Sequence, residues 1–189
     1  SGTLFTPLGG LGGSGALGQT RWSDWLDLAT PWLVLLPVAW ALAASNPPRS
    51  SWALFGVGAL LYVEGHGIHL SANSIGNVEP SDLVHLWDEV VGHYVLHAGV
   101  ALVVAALVVA FGRDAAPRLA VGIPLALGVG VTHATNAIAG VTAWLSMAVA
   151  AGFVAWGWQL RRRAGVLLVW AYGAALAILV GYGVWRGGF

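Results

Sequence analysis

Apolar positions run along the chain in six long blocks, separated by short polar joints. The blocks are Leu28–Ala44, Trp52–Ser71, Leu83–Phe111, Leu119–Ala139, Val141–Leu160 and Val166–Trp185. Each comes near or exceeds the roughly 20 residues that an α-helix needs to cross a hydrocarbon core about 30 Å thick. A backbone inside lipid has to satisfy its own hydrogen bonds, so such blocks are expected to be helices. The strict alternation of a transmembrane barrel is absent. The expected fold is therefore an all-α integral membrane protein, a bundle of about six transmembrane helices over residues 28–187. It follows a Gly-rich N-terminal segment at 1–27. Blocks four and five are divided only by Ala139-Gly140, which leaves a re-entrant pair as the alternative to two full crossings.

The joints carry the usual breakers. Asn46-Pro47-Pro48-Arg49 closes the first block. Between Gly76 and Asp82 the chain reads as a turn, with Ser81 or Asp82 capping the third helix. Gly112-Arg113-Asp114 and Arg161-Arg162-Arg163 form two further polar joints. Residues 1–20 lack the basic start and apolar run of a signal peptide.

Composition sharpens this picture. Of 189 residues, 58% are hydrophobic and 8% charged, and mean hydropathy is +0.77. A soluble domain carries about 25% charged residues, so this chain could not clothe a water-facing surface. Eight acids balance eight cations, all Arg. No basic face exists to bind nucleic acid. Without any cysteine, disulfides, thiolate metal sites and Fe–S clusters are excluded.

Orientation is read from Arg. Arg49, Arg113, Arg118, Arg161, Arg162 and Arg163 lie on one side, and only Arg21 and Arg186 on the other. The positive-inside rule makes the first side cytoplasmic and both termini extracytoplasmic. A prokaryotic plasma membrane is the expected location. Trp22, Trp25, Trp32, Trp87, Trp144 and Trp185 suit the outer interface, and Trp52, Trp156 and Trp158 the inner one. Trp40 and Trp170 lie deeper and are expected to pack between helices.

Candidate chemistry sits in blocks two to four. All six histidines fall in them or at their ends. At about 100° per residue, Tyr62, His66, His69 and Asn73 share one helical stripe, with Glu64 nearly opposite. His85, Glu89, His93 and His97 form an i, i+4 ladder, and Asp88 points away from His93. His66, His97 and His133 each lie 14 positions from the inner ends Trp52, Phe111 and Leu119. At 1.5 Å per residue that is about 21 Å, and His69 and His93 come at about 26 Å. Five histidines on three consecutive helices thus reach one level in the outer part of the bilayer.

Ionisable groups at such depth are costly and mark candidate functional sites. Imidazole is the commonest metal ligand, and His with carboxylate suits Zn, Fe or Cu. The spacings His66-x2-His69 and Glu89-x3-His93-x3-His97 put ligands on single helix faces, as bundle proteins do. No Glu-x-x-His pair is present, which speaks against a standard di-iron carboxylate site. The expected ligands are His66, His69, His93, His97 and His133, with Glu89 or Asp88 as ligand, orienter or general base. Interhelical hydrogen bonding is the plainer role for any single histidine. His85 is expected at the surface, Asp82 as a cap only, and Gly65-x-Gly67 as a close helix contact.

Ser, Asp and a His-x3-His pair together resemble the intramembrane zinc hydrolases of the alkaline ceramidase and adiponectin-receptor kind. That family carries the pair in the last of seven spans. Here His93 and His97 lie in the third of six, so the resemblance is one of ingredients and transfers no residue roles.

Three functions compete on these grounds. The first is a metal-dependent enzyme, hydrolase or oxidoreductase, acting on a lipid or other apolar substrate. The second is a non-catalytic subunit of a larger membrane assembly that holds haem, pigment or metal through His. The third is a small proton or ion transporter using Glu64, His66, His97 and His133 as a relay. Expected partners are membrane lipids, other membrane subunits or further copies of the chain.

Overall fold

A computed structural model describes residues 21–112 and 118–189. Its regular elements are all helices. A short helix α1, Trp22–Asp27, leads into α2, Thr30–Ser45. Then come α3, Arg49–Gly76, and α4, Asp82–Phe111. α5 spans Leu119–Ala139, α6 Ala143–Leu160 and α7 Arg163–Arg186. Counting α1 and α2 together, six helices are long and apolar enough to cross a membrane.

Helix ends follow local chemistry. Asn46 closes α2 in the left-handed region at φ 48°, and Pro47 and Pro48 follow, which cannot extend the helix. Ser81 rather than Asp82 caps α4, its Oγ accepting from the Val84 N–H at 3.3 Å. Blocks four and five are separate helices, joined at Gly140–Thr142, where Val141 takes φ 50°. The first helix begins earlier than its apolar block predicts, because Trp22–Asp27 already forms a turn of helix. The remainder of the expected N-terminal segment, residues 1–20, lies outside the described residues, as do Arg113 and Asp114.

Large and small side chains are distributed inside out. Leu33, Leu60, Trp40 and Val184 are each more than 70% exposed. The main core is instead rich in alanine, with Ala134, Ala137, Ala150 and Ala175 fully buried around Phe153, Leu168, Tyr172 and Leu179. In water this arrangement would be ruinous. In lipid it is expected, since tails solvate leucine as well as a core does and close backbone packing drives association. Trp40 and Trp170 correct the sequence reading: both face outward instead of packing between helices. The bundle has little interior space for an indole, and lipid solvates one freely.

The tightest pairing is α3 against α4. It depends on glycines at the contact. A Cβ on Gly65 would collide with the Leu96 backbone, one on Gly99 with the Tyr62 backbone, and one on Gly58 would lie 2.9 Å from the Gly99 carbonyl oxygen. Gly67, two residues from Gly65, has nothing within 4 Å. Of the expected Gly65-x-Gly67 contact, only Gly65 makes one.

Two groups of helices result. α2, α3 and α4 form one, and α5, α6 and α7 the other, with α7 packed on both α5 and α6. The groups touch where α4 meets α6. Gly65→Ala is expected to destabilise the protein by about 1–3 kcal/mol through overpacking. Gly67→Ala is expected to be neutral or stabilising by up to about 1 kcal/mol. Thermal unfolding of both variants in detergent measures the contrast, and equal midpoints would refute the contact.

Candidate functional site: a histidine-lined cavity

The site is built around a departure from α geometry. Leu86–Gly92 of α4 winds as a π-helix, with more residues per turn than the α-helix around it. This wider turn rotates the residues that follow and those within it. Asp88, expected to point away from His93, is carried towards α3, and its Oδ1 lies 2.5 Å from His69 Nδ1. The ladder of Glu89, His93 and His97 nonetheless holds, with all three lining one cavity; what the sequence reading lacked was the approach of Asp88 to His69 on the neighbouring helix. Gly92 ends the turn and lets α3 approach, since a Cβ there would sit 2.8 Å from the His69 backbone nitrogen.

Four of the five predicted histidines gather on one cavity of about 440 Å³ at the Arg-poor end of the bundle. His66 and His69 come from α3, and His93 and His97 from α4; Glu89 lines the same space. The His69 and His93 rings have centroids 4.3 Å apart, and those of His93 and His97 are 6.2 Å apart. Both depth levels in the sequence reading therefore meet in one place.

Each of three rings turns Nδ1 towards an oxygen. His69 faces Asp88. His93 Nδ1 lies 3.3 Å from the Glu89 carbonyl oxygen and 3.4 Å from Glu89 Oε2. His97 Nδ1 meets Thr142 Oγ1, at the start of α6. Among the described residues, no hydrogen bond to protein occupies Nε2 of His69, His93 or His97. His66 is held the other way round, its Nε2 lying 3.0 Å from the Asp27 carbonyl oxygen, with its ring stacked near Tyr62.

Burial makes this cluster electrostatically demanding. Five enclosed side-chain atoms among the described residues lack an aligned hydrogen bond, and three of them are His69 Nδ1, Asp88 Oδ1 and Glu89 Oε2. The short His69–Asp88 approach is thus a close polar contact without hydrogen-bond alignment. Leaving enclosed polar atoms unpaired in an apolar setting is costly, by roughly 1–3 kcal/mol each.

The remaining candidates lie elsewhere. His133 belongs to the second helix group, with Nε2 3.4 Å from the Ser146 carbonyl oxygen and its ring edge-on to Tyr172. It does not line the cavity. Glu64 is exposed on the outer face of α3, and His85 is exposed as expected. Three residues of the site were missed. Asp27 was placed in the N-terminal segment, Asn136 was not singled out, and Thr142, which meets His97 beside the cavity, fell at the start of the fifth apolar block. Asp27 carried a usable signal, because an acid directly before an apolar block sits at the same membrane level as the histidines.

Among the described residues, no three His, Asp or Glu side chains are already arranged to hold a metal ion. Comparison with known proteins adds no relative: no protein family, curated protein or solved structure matches the chain.

Thr142 is fully buried, and with His97 it bridges the two helix groups. Thr142→Val removes the partner of a buried imidazole. The expected cost is about 1–3 kcal/mol, read as a lower unfolding midpoint in detergent. Thr142→Ser should retain most of the stability, and a Val variant as stable as wild type would show that the bridge contributes nothing.

Proposed function

We propose that the chain is a membrane-embedded metal-binding protein, with a divalent or transition ion held in the histidine cavity. The ligands are Nε2 of His69, His93 and His97. The observation that carries this reading is the shared orientation of the three rings. Each has Nδ1 against an oxygen of Asp88, Glu89 or Thr142, and each has Nε2 without a protein partner among the described residues. Metal-binding histidines are typically oriented in this way through their second nitrogen. Rings sharing a tetrahedral ion stand with centroids roughly 5 Å apart, given metal–nitrogen bonds near 2.1 Å. The separations of 4.3 and 6.2 Å bracket that value, so modest ring rotation would bring the three nitrogens together.

The chemistry assigned to the site is that of a metal-dependent enzyme. Zinc would supply an activated water for hydrolysis, and iron or copper an oxidation. Glu89 lines the cavity and is placed to carry a proton; Asp88 orients His69. The setting among membrane helices favours a lipid or another apolar substrate.

One observation favours a second reading. Asp88, Glu89 and His69 are half-buried, each with one enclosed polar atom that lacks an aligned hydrogen bond, and three imidazoles follow one another at close range. A row of this kind suits proton transfer along the cavity.

Purified, tag-free protein is expected to take up stoichiometric Zn, Fe or Cu. His97→Ala should weaken metal affinity at least about tenfold, and Asp88→Asn by roughly 10–100-fold, as loss of an orienting partner does. His133→Ala should leave affinity unchanged. Elemental analysis after equilibrium dialysis reads all three. Protein that takes up none of these metals would overturn the metal reading, and proteoliposome proton flux lost in Glu89→Gln would then favour the second.

A further inference from the structure

A groove of about 250 Å³ lies between the ends of α6 and α7, at the Arg-rich end of the bundle. α6 ends at Leu160 and α7 begins at Arg163, so only Arg161 and Arg162 join them. Gly157 and Gly165 bring the two helices close, since a Cβ on Gly157 would stand 2.7 Å from the Gly165 carbonyl oxygen. Both joint arginines line the groove, and both are exposed. Beneath them its walls are Trp158, Val166, Val169 and Trp170. Trp158 is 69% exposed and Trp170 47%. Trp170 stands seven residues into α7 from Arg163, about 10 Å along the helix axis. The groove thus passes from guanidinium to indole and valine within two turns of helix.

Arg161 holds its place against local preference. It closes α6 in the left-handed region at φ 47°, a position that favours Gly or Asn. Among the described residues Arg161 has no ion pair, and no acid lines the groove. No lining residue offsets the positive charge that the two arginines bring.

We propose that this groove binds an anionic glycerophospholipid, with its phosphate on Arg161 and Arg162 and its acyl chains along Val166 and Trp170. Charge complementarity selects the head. A guanidinium donates paired N–H bonds to phosphate oxygens, and a headgroup without a cation of its own adds no repulsion. The apolar wall selects a lipid over a free anion, because soluble phosphate would engage the arginines alone and leave both indoles uncovered. Arg beside Trp at a helix end also marks the headgroup level of a membrane, and basic pockets between helices at that level recognise anionic headgroups. The groove shares no lining residue with the histidine cavity, so the inference stands whether or not that cavity holds a metal.

The test uses the full chain purified in detergent and titrated with phosphatidylglycerol or phosphatidylcholine of the same acyl chains. Bound lipid is counted by native mass spectrometry. One phosphatidylglycerol per chain is expected to bind at least about tenfold more tightly than phosphatidylcholine, the worth of one charge-assisted hydrogen bond. Arg161→Gly should weaken phosphatidylglycerol about fivefold, as loss of one arginine near a lipid surface does. The left-handed backbone favours glycine, so this variant should unfold at or above the parent midpoint, and its loss of binding is not a loss of fold. Arg49→Gln removes an equal charge from the same end of the bundle but outside the groove, and should leave affinity unchanged. Millimolar inorganic phosphate should not compete. Equal affinity for the two lipids would overturn the proposal, as would parental binding by Arg161→Gly. Equal weakening in Arg49→Gln would overturn it in favour of diffuse surface charge, and displacement by phosphate in favour of a simple anion site.

Discussion

A bilayer offers no hydrogen bonds, and the rest of this structure depends on that constraint. Apolar side chains gain little by leaving lipid, so leucine, valine and tryptophan cover the outside while alanine and glycine fill the contacts. Polar groups gain greatly by finding one another, so they collect where helices meet. His66 reaches the Asp27 carbonyl, His97 reaches Thr142 and His133 reaches the Ser146 carbonyl. Each of these contacts joins elements that contribute little else to one another.

Close backbone approach is what allows the histidine cavity to form. Gly65 and Gly99 bring α3 and α4 together, and Gly92 lets the His69 segment settle against the π turn. Gly140 does the same for the other helix group, since a Cβ there would lie 2.8 Å from the His93 ring. With side chains at those positions, the rings of His69, His93 and His97 would be held apart. The π turn contributes the second element, by presenting Asp88 to His69 while Glu89 stays on the cavity side. Departures of this kind occur often at functional sites, where a conformational cost is tolerated for the sake of side-chain placement.

The two helix groups divide the molecule lengthwise and leave space between them at both ends. At the Arg-poor end that space is polar and lined by imidazole. At the other end it is lined by apolar side chains, with Tyr172 at its head. His133 and Tyr172, in edge contact, stand in the second group between these levels. The division follows from packing: α7 holds α5 and α6 together, whereas α4 touches that group mainly through α6. A gap between such groups is where membrane proteins can admit ligands without disturbing either core.

By itself, the sequence determined an all-helical chain, six helices long and apolar enough to cross a membrane, and most of their boundaries. Hydropathy and breakers act locally: Asn46 before two prolines ends a helix in any context, as Ser81 begins one. It also put five histidines at one level, because rise per residue is nearly constant along a helix, and four of the five line one cavity. Azimuth and partnership were decided only by the tertiary structure. Asp88 met His69 because α3 approaches the π turn, and His133 turned away because its helix packs on Tyr172. Asp27 and Thr142 joined the site from joints whose path no local pattern specifies. Trp40 and Trp170 went to lipid because the interior had room only for small residues. Depth along a helix is a local property, and the direction a side chain faces depends on every neighbour the helix acquires.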